Sequence, residues 1–299
     1  MSQRRTHLDP AASLLLIALC ASWGLTQVAI KVANAGISPV LQAGLRSVIA
    51  AALVWLWSAL RGVRLFERDG TLWPGLAAAA LFAAEFVFVY WGLAFTTAAR
   101  GVLFLYTAPF FVALGAHVFI PGERLHGTKI VGLLAAFAGV AIAFADTLRL
   151  PSSRDLIGDA MITIGAILWA ATTVVIKASR LAAAAPAKVL LYQLAGSAVM
   201  LLALSPLMGE AGITDPTLPV LLSLAYQGVV VAFVSYLTWF WLITRYPAST
   251  LHAFSFLTPL FGMIAGALLL HEAVTRGLAL AMVLVAAGIY LVNRPRRAN

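Results

Sequence analysis

Ten long apolar runs, separated by short polar breaks, constrain this chain more than any single motif does. They cover roughly residues 11–33, 40–60, 72–95, 101–119, 129–145, 158–177, 187–208, 218–243, 249–270 and 277–293. A helix crossing the hydrocarbon core of a bilayer needs about 20 mostly apolar residues. Each run is near that length, so an all-α integral membrane protein with ten transmembrane helices is expected. The breaks carry helix-ending punctuation such as Ser38-Pro39, Arg68-Asp69-Gly70, Pro121-Gly122, Pro151-Ser152, Pro186, Asp215-Pro216 and Pro247. Little of the 299 residues is left over for a soluble domain. Composition agrees: 62% of residues are hydrophobic and 10% charged, against about 25% charged in soluble domains. Disorder is excluded on the same ground. So is a transmembrane barrel, whose strands alternate polar and apolar residues.

The net charge of +9 does not indicate nucleic acid, because the basic residues are scattered at helix ends rather than gathered on one face. They do report orientation. Arg4, Arg5, Arg61, Arg64, Arg68, Arg124, Lys129, Arg180, Lys188, Arg245, Arg294, Arg296 and Arg297 fall on one side of the alternating connections, and Arg100, Arg149, Arg154 and Arg276 on the other. The side richer in Lys and Arg is expected to be cytoplasmic, with both termini there, as in a bacterial-type inner membrane. The first apolar run follows Arg4 and Arg5 like a signal peptide but continues to Val32 without a polar cleavage region, so it is expected to stay as a helix. Cys20, the single cysteine, excludes a disulfide within the chain and a cysteine-based metal site. No metal or other cofactor is expected.

An internal repeat organises the runs. Trp23-Gly-Leu-Thr-Gln-Val-Ala-Ile-Lys31 reappears 146 residues later as Trp169-Ala-Ala-Thr-Thr-Val-Val-Ile-Lys177. Trp91 recurs as Trp241 and Pro109 as Pro259, both 150 residues on, and Glu123, Gly139 have counterparts in Glu272, Gly288. Residues 1–150 and 151–299 therefore read as two five-helix units. Five is odd, so the second unit enters the membrane from the opposite side. Inverted repeats of this kind mark secondary transporters with a substrate site near the midplane.

The Trp23-Gly24…Lys31 stretch, Pro39…Arg46, and the proline-to-glutamate spacing closing the fourth and ninth runs resemble the EamA-type transporters of the drug/metabolite superfamily. The resemblance covers essentially the whole chain. It implies ten helices, both ends inside, and export of amino acids, related metabolites or drugs. The aromatic content is most similar to that of the YddG-type exporters of aromatic amino acids. The halves also differ, with Tyr192 aligned to Arg46 and Ala170 to Gly24.

Tryptophan favours membrane interfaces, so Trp23 and Trp169 at matched positions near mid-helix are candidates to flank a cavity and stack on a planar solute. Helix packing is the competing explanation. Glu85 is the one acidic residue deep in an apolar run, where ionisable groups mark cavities, proton relays or partners. It is a candidate to receive a substrate ammonium or to take up a proton; a structural pair with Arg46 is the alternative. Arg46 is a candidate for a substrate carboxylate, or for tying the second helix to its neighbours. Gln27, Tyr90, Tyr106, Thr173, Tyr236 and Trp239 supply further polar and aromatic contacts, each of which also suits packing. Lys31 and Lys177 close matched helices on opposite sides, either lining a vestibule or snorkelling to the interface. His117 and His252 read as hydrogen-bonded bundle residues.

Signatures of nucleotide-binding loops, nucleophile elbows and H-E-x-x-H zinc helices are missing. The expected partners are a small solute and the lipid bilayer, with protons as a possible coupling ion. The expected function is secondary export of amino acids, aromatic ones foremost. The alternatives are efflux of cationic aromatic drugs and, in another class, an integral-membrane enzyme acting on lipids.

Overall fold

Proline and short capping side chains set where the helices begin. In the computed structural model, which describes residues 8–148, 150–270 and 277–294, α1 (Pro10–Ala33) starts on a proline, and the Asp9 carboxylate accepts the amide of Ala12 at 2.8 Å. Proline suits a first turn, whose N–H groups have no helical partner. Next come α2 (Pro39–Leu60), α3 (Leu72–Phe95), and α4 in two pieces (Ala98–Leu105 and Ala108–Phe119). They are followed by α5 (Gly127–Phe144), α6 (Ser153–Ala178), α7 (Pro186–Leu207) and α8 (Leu218–Arg245). The last are α9, again in two pieces (Ala248–Phe254 and Leu257–Leu270), and α10 (Leu278–Asn293). Among the described residues, nine helices are long and apolar enough to cross a membrane, and α10 is a shorter apolar helix. The chain is thus an all-α integral membrane protein. Arg4, Arg5, Arg149, His271, Glu272, Arg276, Arg296 and Arg297 lie outside the described residues.

Two features were not visible as apolar runs. Helix α6 begins at Ser153, five residues ahead of the expected start. A capping box between Ser152 and Asp155 satisfies two otherwise orphaned backbone donors and carries the helix out beyond its apolar part. Helices α4 and α9 each break in mid-course. Pro109 and Pro259 lack the N–H that would reach back four residues, and their rings crowd that carbonyl. The two breaks are alike. Thr107 Oγ1 donates to Phe104 O at 2.5 Å and Ser255 Oγ to His252 O at 2.7 Å, each adding to the amide bond that the same residue makes to that carbonyl.

The principal helix contacts recur when each helix is exchanged with the one five places on. Helix α3 lies on α6 as α8 lies on α1, α1 on α9 as α6 on α4, and α3 on α7 as α8 on α2. Helices α2 and α7, and α5 and α10, pack on their own counterparts. Ser197 donates to Ser47, 150 residues away in sequence, at 3.1 Å. At the α5–α10 crossing a Cβ on Gly132 would stand 2.7 Å from Gly288 O, and one on Gly288 2.4 Å from Gly132 O. Only glycine lets these backbones touch, as at small-residue crossings in membranes. The loops follow the same exchange. Glu210, in the α7–α8 connection, accepts the amides of Val40 and Leu41 at the start of α2. Asp69, in the α2–α3 connection, pairs with Lys188 at the start of α7 at 2.8 Å. Hydrogen bonds from Lys188 and then Thr71 hold the Asp69 carboxyl well below the usual carboxylate range. Leu14, Leu60, Trp73, Val118, Leu207 and Val283 are exposed on the outside of the bundle, as a hydrocarbon solvent requires.

Candidate functional site

A cavity of about 330 Å³ lies between the halves, walled by residues of α1, α2, α3, α4, α6, α7, α8 and α9. The pattern that aims side chains into it is helical. Along α3 they are Phe82, Glu85, Phe86, Val89 and Leu93, one face at spacings of three, four and seven. Helix α1 contributes Trp23, Thr26 and Ile30, and α6 contributes Ile162, Trp169, Thr172, Thr173 and Ile176. Residues Tyr226–Ser235 of α8 form a π-helix, a rare form that recurs at functional sites. The α-helical turns after it present Tyr236, Trp239, Phe240 and Ile243 to the cavity.

Of the residues singled out from sequence, Trp23, Trp169, Glu85, Arg46, Tyr106, Thr173, Tyr236 and Trp239 all border this one space. The side chains of Gln27 and Tyr90 lie outside what the structure describes. Lys31 and Lys177 are not among the residues bordering the cavity.

The aromatic rings form a continuous edge-to-face chain. Tyr236 meets Trp23 at 6.3 Å between centroids, Trp23 meets Trp239 at 5.2 Å, and Trp239 meets His252 at 5.1 Å. His252 meets Trp169 at 5.4 Å, and Trp169 meets Tyr106 at 6.3 Å. Such pairs contribute about 0.5–1.5 kcal/mol each beyond burial, so the rings hold one another in place. Trp23 is pinned further by its Nε1–H donating to Ser235 Oγ at 2.8 Å, and His252 Nε2 lies 3.0 Å from Thr173 Oγ1. His252, expected to be a plain bundle residue, is the hinge of this ring chain.

Glu85 and Arg46 border the same cavity without forming an ion pair with each other. Glu85 Oε2 and Arg46 Nε and Nη2 are buried and have no protein hydrogen-bond partner. The Arg46 guanidinium sits 4.7 Å over the Phe86 ring, which orients it without using its donors. Polar groups buried without partners cost free energy, and an acidic and a basic side chain facing one cavity can receive a solute that carries an ammonium and a carboxylate. Phe82, Phe86, Thr26 and Gln193 also border the cavity and were missed. The α3 pair was findable from its spacing around Glu85; Gln193 was not, since its repeat counterpart, Ser47, carries no comparable signal.

At the end of the bundle rich in Lys and Arg, Lys177 is buried rather than snorkelling. Its Nζ pairs with Glu123 Oε1 at 2.7 Å and donates to Tyr246 O at 2.6 Å. The Glu123 carboxylate also accepts the amides of Ala248 and Ser249 at the start of α9. One node thus ties the ends of α4, α6 and α8 to the start of α9. Lys31, its repeat counterpart at the other end, is exposed. There Arg100 is salt-bridged to Asp159, which also accepts from Thr96 Oγ1 at 2.9 Å. No group of three or more His, Cys, Asp or Glu able to hold a metal ion occurs among the described residues.

Comparison with known proteins gives a consistent picture. Residues 10–145 and again 156–294 match the EamA-like transporter family. The "Probable amino-acid metabolite efflux pump" of Salmonella typhimurium is 30% identical over 296 residues, spanning 95% of this chain and 94% of its own. Its namesake in Escherichia coli is 29% identical over 95% and 94% of the two chains. The "Uncharacterized transporter YoaV" of Bacillus subtilis is 24% identical over 92% and 94%. One crystal structure superposes with a TM-score of 0.82 over 94% of this chain and 98% of that one, at 20% identity, a likeness of fold alone.

Proposed function

Since the chain belongs to the EamA-like transporter family, we propose that this transporter exports aromatic amino acids, or solutes closely like them, by alternating access around the central cavity. One observation carries the reading: five rings of the aromatic chain, a Glu85 carboxyl oxygen without a protein hydrogen-bond partner and two such Arg46 guanidinium nitrogens border the same space. Trp23, Trp169, Tyr106, Tyr236 and Trp239 would take the flat side chain, Glu85 the ammonium and Arg46 the carboxylate, with Thr173 beside them; Gln27 and Tyr90 remain candidates from the sequence alone. Cation–π attraction adds about 0.5–2 kcal/mol, and hydrogen bonds to charged groups about 1.5–3 kcal/mol each.

In the same proposal, residues 1–150 and 151–299 are inverted repeats that rock against each other. The exchange-symmetric packing and the two separate family matches support this. The Lys177–Glu123 node acts as the gate beneath the cavity, and Lys31 works at the opposite mouth. Both termini are cytoplasmic, in a bacterial-type inner membrane, on the strength of the Lys and Arg distribution. Single cysteines introduced beside Arg64 and Arg124 should therefore react with an impermeant label only from the cytoplasmic side, and one beside Asp215 only from outside. Reaction of the Arg124 and Asp215 sites from the same side would refute this topology.

The transport test is competition in sealed vesicles containing the purified protein. Aromatic amino acids should compete for efflux, organic cations should not, and Trp169→Ala should weaken aromatic substrates while the protein still folds and inserts. Competition by organic cations alone would favour drug efflux instead, with Glu85 as the lone counter-charge.

A further inference from the structure

A second cavity, of about 300 Å³, opens at the Lys- and Arg-rich end of the bundle, between the α4–α5 turn, the first turn of α5, the start of α9 and the end of α10. It borders none of the ring chain. Arg124, Lys129 and Arg294 line it, together with His126, Thr250 and Asn293. Its one carboxylate, Glu123, is committed to Lys177 and to the amides of Ala248 and Ser249. Among the described residues, three basic side chains therefore face a space whose one carboxylate is already paired with Lys177.

Lys129 is the telling member. It is 9% exposed, its Nζ donates to the neutral hydroxyl of Ser249 at 2.9 Å, and it forms no ion pair among the described residues. A buried ammonium whose neighbouring carboxylate, Glu123, is already committed to Lys177 is costly, and an anion alongside it removes that cost. Arg124 and Arg294 are exposed at the rim, where a guanidinium can engage a phosphate through two parallel N–H donors. The cavity sits where the helices end, and anionic headgroups populate the cytoplasmic leaflet.

We propose that this pocket is a phosphate-binding site, held by Lys129 within and by Arg124 and Arg294 at the rim, whose ligand is the headgroup of an anionic phospholipid. The assignment of leaflet rests on the orientation proposed above; the site itself does not. The test measures thermal unfolding of the purified full-length protein in mixed micelles with phosphatidylglycerol, with phosphatidylcholine, or with soluble glycerol 3-phosphate or inorganic phosphate. Phosphatidylglycerol should raise the midpoint by several degrees. In Arg124→Gln/Arg294→Gln, whose replaced side chains are exposed and so leave the fold intact, at least about tenfold more lipid should be needed. Lys129→Gln should remove the effect in the same way. Stabilisation by the soluble phosphates as well would support the site and assign it to phosphate esters in general. No stabilisation, equal stabilisation by phosphatidylcholine, or an unchanged response in the double variant would overturn it. Transport competition is read separately in phosphatidylcholine vesicles, so failure here leaves the transport proposal standing.

Discussion

Replacing Lys177 by Met should destabilise the solubilised protein by about 3–5 kcal/mol, the usual cost of removing one partner from a buried ion pair. The side chains of Lys177 and Glu123 are 4% and 8% exposed, so solvent cannot take over the lost contact. The carboxylate would keep the amides of Ala248 and Ser249, which soften the loss without neutralising the charge. Glu123→Gln alone should cost a comparable amount, because it strands the ammonium and weakens the support for the start of α9. The double variant Lys177→Met/Glu123→Gln should recover much of the stability, since replacing both charges of a buried pair is often close to neutral. If the pair also gates, the double variant should transport with altered kinetics despite its restored fold. A Lys177→Met protein as stable as wild type would show that the node holds nothing together.

The second large effect is expected at Glu85. With one charge-assisted hydrogen bond to the substrate removed, Glu85→Gln should reduce efflux of an aromatic amino acid roughly ten- to a hundredfold, the equivalent of about 1.5–3 kcal/mol. Arg46→Gln should do likewise. The double variant separates two explanations. If the two residues read opposite ends of the solute, losing both is worse than losing either. If they serve each other as a structural pair, neutralising both restores function. Glu85 is also our candidate for exchanging a proton with the substrate, so the pH profile of efflux should flatten in Glu85→Gln. Wild-type rates with a wild-type pH profile in that variant would remove Glu85 from the site.

Much of this was legible in the residues themselves. Trp23 and Trp169 stood out because a midplane tryptophan is unusual and these two are related by the repeat. Glu85 stood out because a carboxyl group in an apolar run needs a reason. Single-residue signals of that kind survive in a sequence, since the membrane penalises each polar group on its own. His252 and Gln193 carried no such signal. Neither recurs at a matched position in the other half, and only the approach of Trp169 and Trp239 gives His252 its place. For Lys177 the sequence leaves a vestibule and the interface open, because nothing local reveals that Glu123, far away in the chain, comes within 2.7 Å.

The sequence by itself determined that this is a helical membrane protein, since one residue type after another is chosen by a solvent that accepts no unpaired backbone or charge. It also carried the recurring residues at matched spacing on which the proposed doubling of the chain rests. The tertiary structure alone decided that eight of the chosen residues share one cavity, that α4 and α9 break where they do relative to it, and that Glu85 and Arg46 face it without pairing. The reason is that these outcomes depend on helix rotation and on side chains meeting across distant segments. Within a lipid, both are settled by packing against neighbours rather than by hydrophobic sorting along the chain.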